Sequence, residues 1–325
     1  MPRPLRYVGV IGRGGLVAIR LGIVGTGKIV RDQHLAAIAG NPAFALLATA
    51  DPAAAAMTGV PHYPDMAAML AAHTDIQALA ICTTPQVRGQ LVLDAVARGL
   101  HVLCEKPPAS GMAQAQAMAD AAHAGGVTLF AAWHSRFAAG VEPARAWLAG
   151  RAIRSISITW REDVCHWHPG QRWIDLAGGM GVFDPGINAL SILTALLAEP
   201  VTMASASLEV PDNWQTPIAA RLAMRTASGL PVAADFDFRQ QGPQTWRIAV
   251  ETDAGTLALD LGGAHLTLPG QAASPPAPDG EYAALYARFA DLIARGESDF
   301  DLAPLALVAD AFLLGERHPA PAFTH

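Results

Sequence analysis

The run Leu103-Cys104-Glu105-Lys106-Pro107-Pro108 sets a carboxylate and a lysine at the end of an apolar, strand-like stretch. About eighty residues earlier, Gly25-Thr26-Gly27 makes a turn tight enough for backbone N–H groups to approach a pyrophosphate at a helix N-terminus. That order and spacing place Lys106 beside a nicotinamide ring, where an amine can accept or relay a proton, and so imply hydride transfer. Asp51 lies 24 residues past Gly27, close to the offset of a ribose-binding acid. Its carboxylate accepts bonds from ribose hydroxyls and repels a 2'-phosphate, and the following Pro52 and four alanines bring no arginine, which favours NAD over NADP. Taken alone, Asp51 can equally cap a helix beginning at Pro52.

The glycine pattern is incomplete, because Val30 occupies the third position, where glycine or alanine normally lets helix and strand pack closely. A second turn, Gly12-Arg13-Gly14, competes for the same role. Context selects the later one: a strand over 20–24 precedes it, a helix over 28–39 follows, and Asp51 is too far from Gly14.

These residues need a scaffold, and the hydrophobic pattern supplies it. Helices over 64–72, 87–98 and 110–124 alternate with strands over 44–50, 78–82, 101–104 and 127–133, the signature of a doubly wound parallel sheet. Beyond 137 the pattern changes to a helix over 142–149, a half-buried antiparallel strand over 153–160 and a helix over 186–197. Strands over 202–209, 219–226, 231–238, 246–251 and 255–261 follow, then a proline-rich loop over 269–280 and helices over 282–295 and 304–314. The expected fold is therefore α/β. An N-terminal extension (1–18) precedes a Rossmann domain (19–137) and an α+β domain (138–325) with a large open, mainly antiparallel sheet, whose free face suits pairing of two subunits.

Composition narrows the function classes. Among 325 residues, 52% are apolar and 15% charged, yet no run approaches the roughly eighteen residues of a membrane span. A net charge of −6 without a basic cluster argues against nucleic acid. Cys82, Cys104 and Cys165 are odd in number and scattered, which suits a reducing cytoplasm, and the basic start lacks the order of a secretory signal. Cys165-His166-x-His168 has no fourth ligand at metal spacing, so no metal is expected.

With Glu105-Lys106-Pro107 on this scaffold, the chain resembles the glucose-fructose oxidoreductase and inositol dehydrogenase family, Gfo/Idh/MocA, over about residues 20 to 320. The strings Trp160-Arg161-Glu162-Asp163-Val164, Trp167-His168-Pro169-Gly170-Gln171 and Gly181-Val182-Phe183-Asp184-Pro185-Gly186-Ile187-Asn188 are similar to its bacterial aldose 1-dehydrogenase subgroup, of L-arabinose or D-galactose type. The resemblance implies an NAD(P)-dependent oxidation of an aldopyranose at C1 to the lactone.

It also implies a cis bond before Pro107 and a catalytic set of Lys106, Asp184 and Asn188. Asp184 and Asn188 are four apart and can share a helix face. An amide at 188, where the broader family usually has histidine, orients a hydroxyl but exchanges no proton, leaving Lys106 or Asp184 as acceptor. The cofactor is expected to meet Gly25, Thr26, Gly27, Lys28, Ile29, Asp51, Thr83, Thr84, Pro85, Glu105, Lys106 and His134. The sugar is expected to meet Lys106, His134, Glu162, Trp167, His168, Asp184, Asn188 and Trp246, with the indoles covering the C–H face of the pyranose. Arg88 and Gly89 stand where many relatives have a histidine, and no catalysis is assigned to them. A sugar- or dinucleotide-sensing regulator on the same fold is the alternative, since fold alone does not decide activity.

Overall fold

The computed structural model describes residues 18–53, 59–271 and 280–325. The Gly12-Arg13-Gly14 turn, the N-terminal extension apart from residue 18, the alanines after Ala53 and most of the 269–280 loop lie outside the described residues. The chain divides into two compact units.

In the first unit, strands β1 (Ile19–Val24), β2 (Phe44–Ala50), β3 (His62–Tyr63), β4 (Ala78–Ile81), β5 (His101–Glu105) and β6 (Leu129–Ala132) form one parallel sheet. Its order is β3-β2-β1-β4-β5-β6, the doubly wound arrangement in which ligands bind beyond the carboxyl ends of the strands, at the crossover beside β1. Leu21, Ile23, Leu79, Ile81 and Leu103 are fully buried, as expected of strands covered on both faces.

Helix α1 (28–39) contains a π turn at Val30–His34, beginning at the residue that replaces the small third member of the glycine fingerprint. Helices α2 (Met66–Ala72), α3 (Pro85–Val96) and α4 (Met112–Gly125) make the crossovers. The chain then re-enters this unit with Tyr282–Phe300. Domain boundaries read from sequence assigned that segment to the second domain, but it carries aromatic surface that finds its cover here. Phe289 stacks on Phe44 and Phe130, and Tyr286 meets Phe44 edge-on, at ring separations of 5.8, 6.2 and 5.4 Å.

The second unit is built on a sheet of eight strands in the order β13-β12-β11-β7-β10-β9-β8-β14. Its members are β7 (Ile153–Arg161), β8 (Val201–Pro211), β9 (Ala219–Thr226), β10 (Pro231–Asp237), β11 (Thr245–Thr252), β12 (Gly255–Asp260), β13 (His265–Thr267) and β14 (Gly315–Ala320). Most neighbours are antiparallel, but β7 pairs β10 in parallel at the centre and β14 pairs β8 in parallel at the edge. The expectation of a purely antiparallel setting for 153–160 is thus corrected on one side. Period-two burial identifies a strand but not the direction of its neighbour. β14 escaped sequence reading because Gly-Glu-Arg-His-Pro-Ala has no apolar alternation; it is an exposed edge held by backbone pairing.

One face of this sheet packs on α7 (Phe183–Leu196), with Phe236 against Phe183 at 5.9 Å. Helices α5 (Val141–Leu148), α6 (Val164–Trp167) and α9 (Ala303–Leu314) complete the unit, and α8 (Glu281–Arg295) contributes its first residue. α7 begins three residues before the expected 186, so Asp184 sits inside its first turn. Among the described residues no helix is long and apolar enough to cross a membrane.

Candidate active site

The first unit shapes the nucleotide turn by steric necessity. Gly25 has φ +85°, and a Cβ there would lie 2.8 Å from the Thr83 backbone N and 2.9 Å from the Cys82 carbonyl carbon, so only glycine fits. A Cβ on Gly27, by contrast, would meet nothing within 4 Å, leaving open space at the N-terminus of α1. The Thr26 N–H donates to Asp51 Oδ2 at 2.7 Å, and the Ala53 N–H donates to Asp51 Oδ1 at 2.9 Å. Asp51 therefore ties the end of β2 to the glycine turn and closes a local turn with Ala53, where the sequence offered a helix cap as the alternative. Thr83 Oγ1 is buried without a hydrogen-bond partner beside this turn, and Thr84 and Pro85 open α3. An approachable helix terminus, an orphaned hydroxyl and a carboxylate at the strand end fit a dinucleotide. Ile29 is 36% exposed, and Lys28 is paired with Asp32 at the surface.

The Lys106 loop is held from two sides. Glu105 is buried, and its Oε1 accepts from Tyr282 Oη at 2.7 Å and meets His34 Nε2 at 3.0 Å, while Oε2 accepts the Lys106 N–H at 2.8 Å. His34 Nδ1 lies 2.8 Å from Tyr286 Oη. Burial, with the nearby charge of Glu105, pushes the Tyr286 phenol well above its ordinary pKa, so it stays protonated. From the other side Arg88, 3% exposed, donates to the Glu105 carbonyl at 2.7 Å and to the carbonyls of Pro107 and Thr83. Its guanidinium thus joins the Lys106 loop to the Thr83 loop through backbone alone. The Lys106-Pro107 peptide is cis, as the resemblance implied.

Arg88, His34 and Tyr282 were missed as site residues, although an arginine among the apolar residues of the helix expected over 87–98 was a readable signal. Glu105, expected at the cofactor, turns its carboxylate into this buried network. The two cysteines beside it are raised by burial, Cys104 to about 12 and Cys82 well above its usual range, and both remain thiols.

In the second unit, Glu162 is 2% exposed at the end of β7. It meets His168 Nε2 at 3.1 Å through Oε1 and accepts from Trp246 Nε1 at 2.9 Å through Oε2. Trp160 and Trp246 stack at 5.8 Å, and Trp167 leans on Trp246 at 4.9 Å. Trp167, His168 and Trp246 are half-buried, so part of each ring stays uncovered.

Asp184 is 3% exposed, and Asn188 Oδ1 is buried without a hydrogen-bond partner one turn later. The approach to α7 is sterically fixed: Met180 and Gly181 have φ +69° and +56°, and a Cβ on Gly181 would stand 2.2 Å from the Pro217 carbonyl oxygen. His134 Nδ1 lies 2.6 Å from Glu281 Oε2. Nearby, Arg136 anchors the same turn on Ser191, Thr194 and Asp301. Among the described residues no group of three or more His, Cys, Asp or Glu is placed to hold a metal ion.

Residues 19–132 match the model of an oxidoreductase family with an NAD-binding Rossmann fold. Over 317 residues the chain is 44% identical to galactose 1-dehydrogenase of Pseudomonas fluorescens, covering 94% of this chain and 98% of that protein. Its structure resembles the crystal structure of D-galactose-1-dehydrogenase from Rhizobium etli, with a TM-score of 0.90 and 48% identity, covering 96% of this chain and 100% of that one. A 3-ketoreductase from Actinomadura kijaniata shares the fold at 19% identity, with a TM-score of 0.81 over 94% of this chain and 100% of its own.

Proposed function

The chain belongs to the Gfo/Idh/MocA family of oxidoreductases, and from that premise we propose that it is an aldose 1-dehydrogenase that oxidises C1 of an aldopyranose to the lactone. The observation that carries this reading is its end-to-end likeness, in sequence and structure, to two galactose 1-dehydrogenases. D-Galactose is accordingly the first substrate to try, with L-arabinose, D-fucose and D-xylose as close variants.

Gly25, Thr26, Gly27 and Ile29 form the pyrophosphate turn in this proposal, Asp51 holds the adenosine ribose, and Thr83, Thr84, Pro85 and His134 line the remainder of the dinucleotide path. When bound, the oxidised nicotinamide supplies the acceptor for the hydride leaving C1. Lys106 takes the proton of the C1 hydroxyl as the C–H bond breaks, directly or in exchange with Asp184, and Asn188 orients that hydroxyl through its unpartnered Oδ1. The rings of Trp167 and Trp246 cover the apolar face of the pyranose and exclude water from it, with Glu162 fixing Trp246 and His168 in place. Asp51 favours NAD, since its carboxylate stands where a 2'-phosphate would bring like charge.

We also place the protein in a reducing cytoplasm, on its free thiols at Cys82, Cys104 and Cys165. Two copies pair through the open face of the second sheet. There the exposed positions Ser157, Ala223 and Ala233 and the half-buried Ala249 offer small side chains on neighbouring strands.

The test is the absorbance of reduced nicotinamide with a sugar panel and each cofactor. Turnover with D-galactose or L-arabinose, accompanied by lactone, supports the proposal. A flat trace with every sugar, despite measurable dinucleotide binding, favours the regulator.

A further inference from the structure

Glu162, the acid expected to meet a sugar hydroxyl, already has a partner on each carboxylate oxygen, His168 on one and Trp246 on the other. Asp175 is in the opposite condition. It is 1% exposed, and neither of its carboxylate oxygens takes a hydrogen bond. The Arg172 guanidinium stands 2.8 Å from Oδ2 and neutralises its charge, but from a direction outside hydrogen-bond geometry. Apart from that ion pair the carboxylate has no donor on it, which leaves both oxygens able to accept from a bound molecule.

A second unsatisfied group lies beside it. Both ring nitrogens of His325 are buried, and neither has a hydrogen-bond partner. One short segment brings the two together: the Gln215 N–H donates to the Asp175 carbonyl at 2.8 Å, and the adjoining Trp214 ring packs on His325 at 5.2 Å. Residues 323–325 are tied in place because Asn213 Nδ2 and Trp214 Nε1 both donate to the Phe323 carbonyl, at 2.8 and 2.9 Å, while the Phe323 N–H returns to Asn213 Oδ1. Cys165 Sγ lies 4.0 Å from the Thr324 carbonyl oxygen, which sets this segment against α6, three residues from His168. Burial lowers the His325 pKa, Asp175 opposes that shift, and Arg172 and His168 add to it. The neutral ring so favoured presents one N–H donor and one acceptor.

We infer that Asp175 and His325 form a hydroxyl-binding subsite for the sugar, taking one hydroxyl of the aldopyranose other than that at C1. A hydroxyl donates to the carboxylate and accepts from the imidazole at once, so it answers both unsatisfied groups. The inference rests on the aldose reading above and assigns a specificity role to residues outside the expected sugar set. A site built to bond a particular hydroxyl discriminates strongly against the sugar that lacks it.

The experiment compares kcat/KM of the wild type, Asp175→Asn and His325→Ala on D-galactose and on its 2-deoxy, 3-deoxy, 4-deoxy and 6-deoxy forms. Each variant is expected to lose roughly ten- to a hundredfold on D-galactose, with the loss vanishing on the one deoxy sugar that lacks the bound hydroxyl. His325→Gln, which keeps a donor and an acceptor, recovers part of that activity. An equal loss on all five sugars marks a structural role and overturns the subsite, as does no loss at all. A wild type inactive on every sugar overturns the aldose reading itself and the subsite with it.

Discussion

Lys106 and Asp184 carry the proton chemistry in this account, and each has a neutral analogue that keeps its approximate size. Lys106→Met and Asp184→Asn are each expected to lower kcat by roughly a hundred- to ten-thousandfold, the usual worth of a positioned acid or base. Steady-state kinetics on D-galactose checks this; near-normal turnover in both variants removes the mechanism. Asp51 makes a different prediction. Its carboxylate accepts from Thr26 and Ala53, so Asp51→Asn keeps one hydrogen-bonding oxygen while removing the charge that repels a 2'-phosphate. The ratio of kcat/KM for NAD over NADP is expected to fall about tenfold or more, read by titrating each cofactor. The position of Asp51 beside the glycine turn was legible because a short local motif sets it. His34 and Tyr282 were not, because they meet Glu105 across 71 and 177 positions, which spacing does not reveal, whereas Arg88 offered a readable signal that was passed over.

At the scale of elements, the Lys106 loop is a backbone segment clamped by side chains. Arg88 gathers the carbonyls of Thr83, Glu105 and Pro107, and Glu105 binds α1 through His34 and α8 through Tyr282. Bonds to a charged donor contribute about 1.5–3 kcal/mol each, so Arg88→Met is expected to lower both the melting temperature and kcat, with KM for the sugar changing less. Arg88→Lys restores one or two of the bonds and part of the rate. Calorimetry together with saturation kinetics checks the split. Equal losses in kcat and stability for an unrelated core variant, with the same KM pattern, would deny Arg88 its positioning role.

β5 offers a pH test. Its first residue, His101, accepts the Thr128 N–H on Nδ1 at 3.0 Å, and burial lowers its pKa. The unfolded chain then binds the extra proton first, so stability is intact above the ordinary histidine pKa and declines as pH falls through it. Melting temperatures measured between neutral and mildly acidic pH are expected to drop in the wild type and to drop less in His101→Asn.

For the whole molecule, the doubly wound unit was readable almost element by element, since buried parallel strands and amphipathic crossovers leave distinct periodicities. What sequence could not supply was long-range pairing: the return of Tyr282–Phe300 to the first unit, the parallel contact of β7 with β10, and the edge strand β14. Each depends on which surface covers which, a property of the folded chain that no local pattern encodes. Oligomeric state belongs to this scale too. Sedimentation is expected to report a dimer, and Ala233→Glu, placing charge on the open sheet face, is expected to yield monomers. The central claim is tested most directly with D-galactose carrying deuterium at C1. The account predicts that the label appears in the reduced nicotinamide as the lactone forms; label retained in the sugar while the cofactor is reduced would contradict it.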